Sequence, residues 1–485
     1  MRRGRLAWPF LAGLIVVAVT ILAAFGSPKP PASPGSATAT ASAKPSTAIT
    51  LPDTPAGAQL RWLIAVKHLP MSVAQIRAHF DAAFRAQVSP AKLNQGILGA
   101  TDVKLVSIKV DEPSRLAVIV STGGVLQVQV ALAIDRQGLI SGLRISPVTP
   151  TAWAGVDAAV RLVAPKVRLL VADVTKGTCQ PVHQIDPATA APLGSAFKLY
   201  VLDALGNAVA SGKARWNQPL TITPQLKSPF SELQHKSDNT RISVHDTAAK
   251  MIFKSDNTAA DMLINLVSRP EVEAVLTTTG MAAPARDQPF LTTREMSILK
   301  LDQWPTLAQR YIAADEAGRR ALLAATVDRA PLPSDAARKA WTTPRDIDSL
   351  EWFASVNDIC RLYTSLAALD RRPGLSPIGD VLSLSDGWLQ LDPAQWKRTW
   401  YKGGYEPGVL TMAYMATTQA GRSYVVAVFA ENPSEPINEA TATPFMRSAI
   451  RGAFTLARSR CGPAAGHLHE VLGIRRVFHP GSLIP

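Results

Sequence analysis

Three chemical signatures are missing from this sequence. It has no zinc-ligand spacing of cysteine and histidine, no glycine-rich phosphate loop and no dense run of lysine and arginine. Zinc modules, nucleotide-binding loops and basic nucleic-acid surfaces depend on these patterns. Nucleic acid is therefore not an expected partner, no metal or other cofactor is predicted, and the net charge of +14 is attributed to arginine scattered over the surface.

Cysteine is scarce as well. The chain of 485 residues has three cysteines. In an oxidising compartment an odd count allows one pair and leaves one thiol over. Cys360 lies in an apolar helical pattern, so we predict that it is a buried free thiol.

Residues 1–26 have the features of an export signal. Three arginines within the first five residues precede an apolar run over 6–26, which is long enough to span a bilayer with its positive side in the cytoplasm. The run is longer than that of a cleaved signal peptide and its exit site is poor, which favours a membrane anchor over a secreted protein. Residues 27–54 are rich in Pro, Ser, Ala and Thr and predict a flexible linker. The protein is therefore expected to be extracytoplasmic.

The remaining chain divides into two predicted domains and a tail. Residues 55–150 show two helical patterns and then four strand patterns separated by turn signals, which predicts a small α+β domain. This order resembles the nuclear-transport-factor and ketosteroid-isomerase group, and we expect the domain to gate or dock a substrate. Residues 151–465 predict a five-stranded antiparallel sheet beside a helical block, and residues 466–485 form a C-terminal tail.

The segment 193–202 runs from a turn into an apolar helical pattern, LGSAFKLYVL. Ser195 and Lys198 are three residues apart and therefore share one helix face. A lysine in a dry pocket can lose its proton and act as the base that activates a serine hydroxyl. Taken alone, the pattern also fits a serine N-cap followed by a solvated lysine.

Two further motifs favour the catalytic interpretation. Ser255-Asp256-Asn257 follows Ser195 by 60 residues, and Lys402-Gly403-Gly404 lies in a strand pattern. This order resembles the penicillin-recognising serine enzymes, and the first spacing is similar to that of class A β-lactamases. The resemblance covers about residues 155–461. A second Ser-Asp-Asn, at 237–239, is too close to Ser195 and lies in a polar loop.

The resemblance implies a role for each residue. Ser195 would attack a carbonyl carbon, Lys198 would accept the proton, and Ser255 would relay a proton to the leaving group. Lys402 would hold Ser255 and a substrate carboxylate, and Asn257 would position Lys198 and the substrate amide.

The same resemblance implies an oxyanion hole made by the backbone N–H groups of Ser195 and Tyr405. Gly403 and Gly404 would let the strand approach the substrate closely. Asp256 is expected to be structural, as a loop carboxylate that accepts local N–H groups.

Two departures from the class A pattern concern deacylation and binding. Gly403 stands where the family has threonine or serine, and the Glu-x-x-Leu-Asn loop that activates the deacylating water is missing. Glu295 is the nearest substitute, and an inserted helical segment at about 295–345 is expected to rebuild that loop. We therefore predict slow turnover of β-lactams. The absence of Tyr-x-Asn argues against class C and esterase-like relatives.

The predicted fold also suggests a disulfide bond. In this family's fold the final helix turns back over the sheet, so its end is expected near the first hairpin. That arrangement would pair Cys179 with Cys461.

These features predict an exported serine hydrolase that forms an acyl-enzyme with β-lactams or related esters and amides. The two-domain layout resembles the serine hydrolase encoded among clavulanic acid biosynthesis genes. Two alternatives stay open: a D,D-peptidase acting on peptidoglycan, and a penicillin-binding sensor without turnover.

Overall fold

The structure, a computed structural model, describes residues 49–66, 70–96 and 103–459. The predicted signal or anchor (1–26), all but the end of the linker (27–54), the C-terminal tail (466–485) and Cys461 lie outside these ranges. Among the described residues, no helix has both the length and the apolar character needed to cross a bilayer.

The first domain is an antiparallel sheet with short helices packed on it, as the sequence predicts. Its strands pair in the order β1-β2-β3-β4. Its elements are α1 (Pro55–Ala65), α2 (Val73–His79), α3 (Ala82–Gln87), α4 (Pro90–Gly96), β1 (Lys104–Glu112), β2 (Arg115–Thr122), β3 (Leu126–Ile134) and β4 (Ile140–Pro147).

The second predicted helix of this domain is in fact two helices. Phe80 leaves the helical conformation and forms a bridge to Ile140 at the start of β4. Asp81 then caps α3, because its carboxylate accepts the N–H of Phe84 at 2.6 Å. The break allows both helices to pack Ile76, Phe80 and Phe84 into the domain core.

The second domain is α+β, with a five-stranded antiparallel sheet. Its strand order is β11-β12-β13-β5-β6. The strands are β5 (Lys166–Asp173), β6 (Gln180–Ile185), β7 (Ala191–Pro192), β8 (Pro219–Thr221), β9 (Arg241–Ser243), β10 (Phe353–Ala354), β11 (Trp396–Glu406), β12 (Val409–Thr418) and β13 (Ser423–Glu431). The helices are α5 (Trp153–Arg161), α6 (Lys198–Ala210), α7 (Val244–Phe253), α8 (Asn257–Val267), α9 (Arg269–Thr278), α10 (Thr293–Lys300), α11 (Thr306–Ala313), α12 (Glu316–Leu322), α13 (Asp335–Ala340), α14 (Val356–Asp370), α15 (Pro377–Leu382) and α16 (Glu439–Ser459).

Hydrophobic residues bury both faces of this sheet. Side chains of β5 alternate between two cores, with Leu170 and Ala172 in one and Leu169 and Val171 in the other. The first core contains α6 and α8, which begin at Lys198 and Asn257, together with α14. The second contains α5, α16 and the first domain, so the two domains share one continuous apolar core. Helices α10 to α13 lie over the segment at about 295–345 that the sequence predicts to be helical.

The predicted disulfide bond between Cys179 and Cys461 was wrong. Cys179 is bonded to Cys360, and their Cα atoms are 6.2 Å apart. Helix α14 packs on the same side of the sheet as the turn between β5 and β6, which brings Cys360 to Cys179. Helix α16 packs with α5 on the opposite side of the sheet, so the described part of α16 does not pack beside that turn. Cys360 is buried, as predicted, but it is not a free thiol.

Candidate active site

Ser195 lies in a tight turn that opens directly into α6. A 3-10 helix over Gly194–Phe197 precedes Lys198, the first residue of α6. Ser195 is half-buried, whereas Lys198 is 0% exposed. Lys198 Nζ lies 3.1 Å from Ser195 Oγ, as expected for residues on one helix face.

The Ser255 turn surrounds the same ammonium group. Lys198 Nζ lies 2.6 Å from the carbonyl oxygen of Ser255, 3.3 Å from Ser255 Oγ and 2.7 Å from Asn257 Oδ1. Ser255 has a φ of 55°, a left-handed conformation at the junction of α7 and α8. This strained backbone directs both its carbonyl and its hydroxyl towards Lys198.

Lys402 approaches Ser255 from the strand on the other side. Its Nζ lies 3.0 Å from Ser255 Oγ and 2.7 Å from the carbonyl oxygen of Gly403. Ser255 Oγ therefore stands between two buried lysines, and a proton can pass along this chain of donors and acceptors.

Burial controls the protonation of both lysines. Burial lowers the pKa of Lys198 to about 7, although Asp256 and Asp261 act in the opposite direction. Burial and the charge of Lys198 also lower the pKa of Lys402 well below its usual value. Since each ammonium disfavours the other, an uncharged amine is available in this site near neutral pH.

Strand β11 passes very close to the Ser195 turn. A Cβ atom added to Gly404 would lie 2.7 Å from the backbone nitrogen of Ser195, and one added to Gly194 would lie 3.0 Å from that of Tyr405. Glycine at both positions permits this approach, and Gly194 also has a φ of +48°. The backbone N–H groups of Ser195 and Tyr405 thus lie on neighbouring segments.

The hydroxyl of Tyr401 fills the space where a side chain at position 403 would begin. A Cβ atom at Gly403 would overlap the hydroxyl of Tyr401 and lie 2.9 Å from its Cζ atom. Tyr401 and Gly403 both line the pocket, since residues two apart on a strand share a face. Tyr401 was not predicted as a site residue, although the alternation of side chains along a strand places it on the same face as Gly403.

Asp256 is the N-cap of α8. Its carboxylate accepts a hydrogen bond from the hydroxyl of Ser231 at 2.6 Å. It also accepts hydrogen bonds from the N–H groups of Glu232, Leu233 and Ala259 at 2.7, 3.0 and 2.9 Å. It therefore fixes the loop beside the site and does not face the reacting atoms.

The second Ser-Asp-Asn, at 237–239, lies at the end of the long connection between β8 and β9. Asp238 pairs with Lys227 at 2.7 Å, and Asn239 donates its N–H to the carbonyl of Ile222 at 2.9 Å. None of the three residues lines the pocket.

Glu295 is turned away from the pocket. Its carboxylate accepts the N–H of Thr292 at 2.6 Å in a capping box and pairs with Arg269 at 2.6 Å. The neighbours Met296 and Ser297 line the pocket, but Glu295 does not. Glu295 is therefore not placed to activate a water at Ser195.

The site opens into a pocket of about 850 Å³. Its lining includes aromatic and charged residues that sequence analysis missed, namely Phe230, Trp341, Tyr401 and Arg447, and a buried group of Lys300, Glu351 and Glu406. These residues come from distant parts of the chain and carry no shared local pattern. Within the described ranges, no group of three or more His, Cys, Asp or Glu residues is placed to hold a metal ion.

Two family models match the sequence. Residues 156–349 match the beta-lactamase enzyme family, and residues 51–140 match the family described as ORF 12 gene product N-terminal. The first match includes the Ser195 and Ser255 motifs and ends before β11. No curated protein matches the sequence.

Similar solved structures are distant in sequence. A beta-lactamase from Sphaerobacter thermophilus is 19% identical, with 63% of this chain and 98% of that one covered and a TM-score of 0.44. PBP-A is 18% identical, with 65% and 99% covered and a TM-score of 0.44. A mutant of PBP-A in an acyl-enzyme complex with penicillin G is 17% identical, with 64% and 99% covered and a TM-score of 0.42. By its two family matches, the chain carries a domain of the beta-lactamase enzyme family behind an N-terminal domain of the ORF 12 gene product type.

Proposed function

We propose that this protein is a serine hydrolase that forms an acyl-enzyme at Ser195 with a β-lactam or with an ester or amide of similar shape. The observation that carries the proposal is the buried Lys198 ammonium, held by Ser195, Ser255 and Asn257 with its pKa lowered to about 7. A solvated lysine beside a helix N-cap would have none of these partners.

In the acylation step, Ser195 Oγ attacks the substrate carbonyl carbon while Lys198 accepts the hydroxyl proton. The N–H groups of Ser195 and Tyr405 donate hydrogen bonds to the carbonyl oxygen and stabilise the negative charge that develops on it. As the carbonyl–nitrogen bond breaks, or the carbonyl–oxygen bond in an ester, Ser255 gives its hydroxyl proton to the leaving atom and receives the proton that Lys198 accepted from Ser195. Lys402 holds Ser255 and attracts a substrate carboxylate. The negative charge of that carboxylate would in turn stabilise the ammonium form of Lys402.

In the deacylation step, water must attack the Ser195 ester. Glu295 does not take the place of the family residue that activates this water, because its carboxylate is bound to Thr292 and Arg269. The acyl-enzyme is therefore expected to persist. This observation also favours a second candidate function, a penicillin-binding sensor whose acylated state is the signal.

The Cys179–Cys360 bond is consistent with an extracytoplasmic protein. We further propose that residues 6–26 anchor it in the membrane, which would place the pocket on the exterior side.

Labelling with a fluorescent penicillin tests the proposal. Wild type is expected to be labelled and Ser195→Ala is not, whereas Ser237→Ala, in the unrelated Ser-Asp-Asn copy, should label like wild type. Labelling of the Ser195→Ala variant would show that another residue is the nucleophile.

A further inference from the structure

A second buried ionic cluster lies in the same pocket, away from the two catalytic-motif lysines. Lys300, the last residue of α10, has its Nζ 3.0 Å from Glu351 Oε1 and 2.6 Å from Glu406 Oε1. The three residues are 1%, 5% and 6% exposed. Nothing in the acylation step described above uses them.

Glu351 connects this cluster to the Ser195 turn. Its second oxygen, Oε2, accepts the backbone N–H of Gly194 at 3.2 Å and that of Trp352 at 3.1 Å. Gly194 immediately precedes Ser195, so this bond fixes the peptide next to the nucleophile. The carbonyl oxygen of the same peptide group, that of Leu193, accepts Thr411 Oγ1 at 2.8 Å.

Glu406 connects the cluster to strand β11. It immediately follows Tyr405, whose N–H is the other oxyanion donor in the proposed function. Lys300 bonds to both carboxylates, so a single buried ammonium joins the residue before Ser195 to the residue after Tyr405. The two donors lie on different segments. Thr411, which pairs with Gly404 in the sheet, is a further link between these segments, because its hydroxyl lies 2.8 Å from the carbonyl oxygen of Leu193 and 3.3 Å from that of Gly404.

The cluster holds one ammonium and two carboxyl groups, all three buried. Burial and the neighbouring Glu351 raise the pKa of Glu406 well above its usual value, whereas Lys300 acts in the opposite direction. The indole ring of Trp341 lies 5.9 Å from Lys300 Nζ, and Arg345 donates to the carbonyl of Lys300 at 2.6 Å. Removing one partner from such a group would leave a buried charge unpaired, so the three side chains are held as a unit.

We propose that Lys300, Glu351 and Glu406 are positioning residues that set the distance between the oxyanion donors Ser195 N–H and Tyr405 N–H. This inference rests on the proposed acylation at Ser195. The three side chains act through Gly194 and Tyr405 and take no part in proton transfer to the substrate. Because Lys300 lies on α10, the inserted helical segment contributes to catalysis through this bridge.

The test compares Glu351→Met with Glu351→Gln. Methionine removes the acceptor for Gly194 and the bond to Lys300, whereas glutamine keeps an acceptor oxygen. Glu295→Gln is the matched control. Glu295 is buried and ion-paired on α10, the helix of Lys300, but it does not line the pocket. The measurements are the acylation rate constant and the dissociation constant for a penicillin, and the carbonyl stretching frequency of the acyl-enzyme by infrared difference spectroscopy.

We expect Glu351→Met to lower the acylation rate constant by about 10- to 100-fold, with little change in the dissociation constant, since losing one oxyanion donor entirely costs about 10²–10³. The carbonyl band should move to higher frequency, which a change in stability alone would not cause. Glu351→Gln should recover most of the rate, and Glu295→Gln should acylate like wild type.

If Glu351→Met does not fold, Lys300→Arg provides the same test, because it keeps the charge but changes the span between the two carboxylates. Equal rates and carbonyl frequencies in wild type, the cluster variants and the control would overturn the inference while leaving acylation at Ser195 intact. Equal losses in the control would also overturn it. If wild type forms no adduct, the proposed function fails and this inference fails with it.

Discussion

The hydroxyl of Tyr401 occupies the position where a side chain at residue 403 would begin. The glycine at 403 and the tyrosine at 401 therefore depend on each other. Tyr401 also stacks on Tyr414, with ring centroids 4.6 Å apart, which holds the phenol in that position. A threonine or serine side chain at position 403 therefore cannot be accommodated unless Tyr401 moves.

Gly403→Thr should lower the acylation rate, because its Cβ would displace Tyr401 and shift Lys402 on the same strand. The double variant Gly403→Thr with Tyr401→Ala should recover part of the rate, because the small side chain removes the overlap. Both rates can be measured with a chromogenic β-lactam. A fully active Gly403→Thr single variant would show that Tyr401 moves without consequence.

The pKa of Lys198 predicts the pH dependence of acylation. Burial lowers that pKa to about 7, so the amine loses its proton as the pH rises through that value. Since the neutral amine is the base, the acylation rate constant should rise about tenfold per pH unit below the pKa and level off above it. Stopped-flow acylation between pH 5.5 and 8.5 measures this profile. A flat profile would mean that Lys198 does not act as the base.

Lys402→Ala should reduce acylation far more than Lys236→Ala, by about 100-fold as for other groups that stabilise transition-state charge. Lys402 bonds Ser255 Oγ at 3.0 Å, whereas Lys236 is exposed beside the second Ser-Asp-Asn copy. Labelling rates of the two purified variants provide the comparison. Similar losses in both would remove the support for the Lys402 motif.

The disulfide bond should stabilise the second domain. Cys179 and Cys360 are 181 residues apart, and closing a loop of that length stabilises by about 5 kcal/mol in the chain-entropy model, with measured values often lower. Urea unfolding of the Cys179→Ser, Cys360→Ser double variant should show that loss, and Cys461→Ser should unfold like wild type. A non-reducing peptide map that joined Cys179 to Cys461 would contradict the structure.

Local patterns predicted much of the fold because hydrophobic periodicity and turn residues are local properties. The run of apolar and β-branched residues over Val409–Thr417, for example, predicts a strand, and β12 covers it and extends one residue further. The Thr292 to Glu295 spacing is a capping box that the sequence already contains, and it would have identified Glu295 as structural.

Features that depend on packing between distant segments were not accessible from the sequence. Cys360 meets Cys179 only because α14 and the β5–β6 turn lie on the same side of the sheet. Lys300, Glu351 and Glu406 are separated by 51 and 55 residues along the chain, and nothing near any of them indicates the other two. Their contact follows from where the inserted segment docks.

The most direct test of the account is time-resolved intact mass spectrometry of the protein mixed with a penicillin. We predict a single adduct with the full mass of the penicillin, mapped to Ser195 by peptide analysis. The adduct should form quickly and decay slowly, because the carboxylate of Glu295 is not placed to activate water. In a chromogenic assay the same behaviour gives a burst of product followed by a slow phase. Rapid turnover with no accumulated adduct would contradict the slow deacylation, and no adduct on Ser195 with either a β-lactam or an ester would contradict the central claim itself.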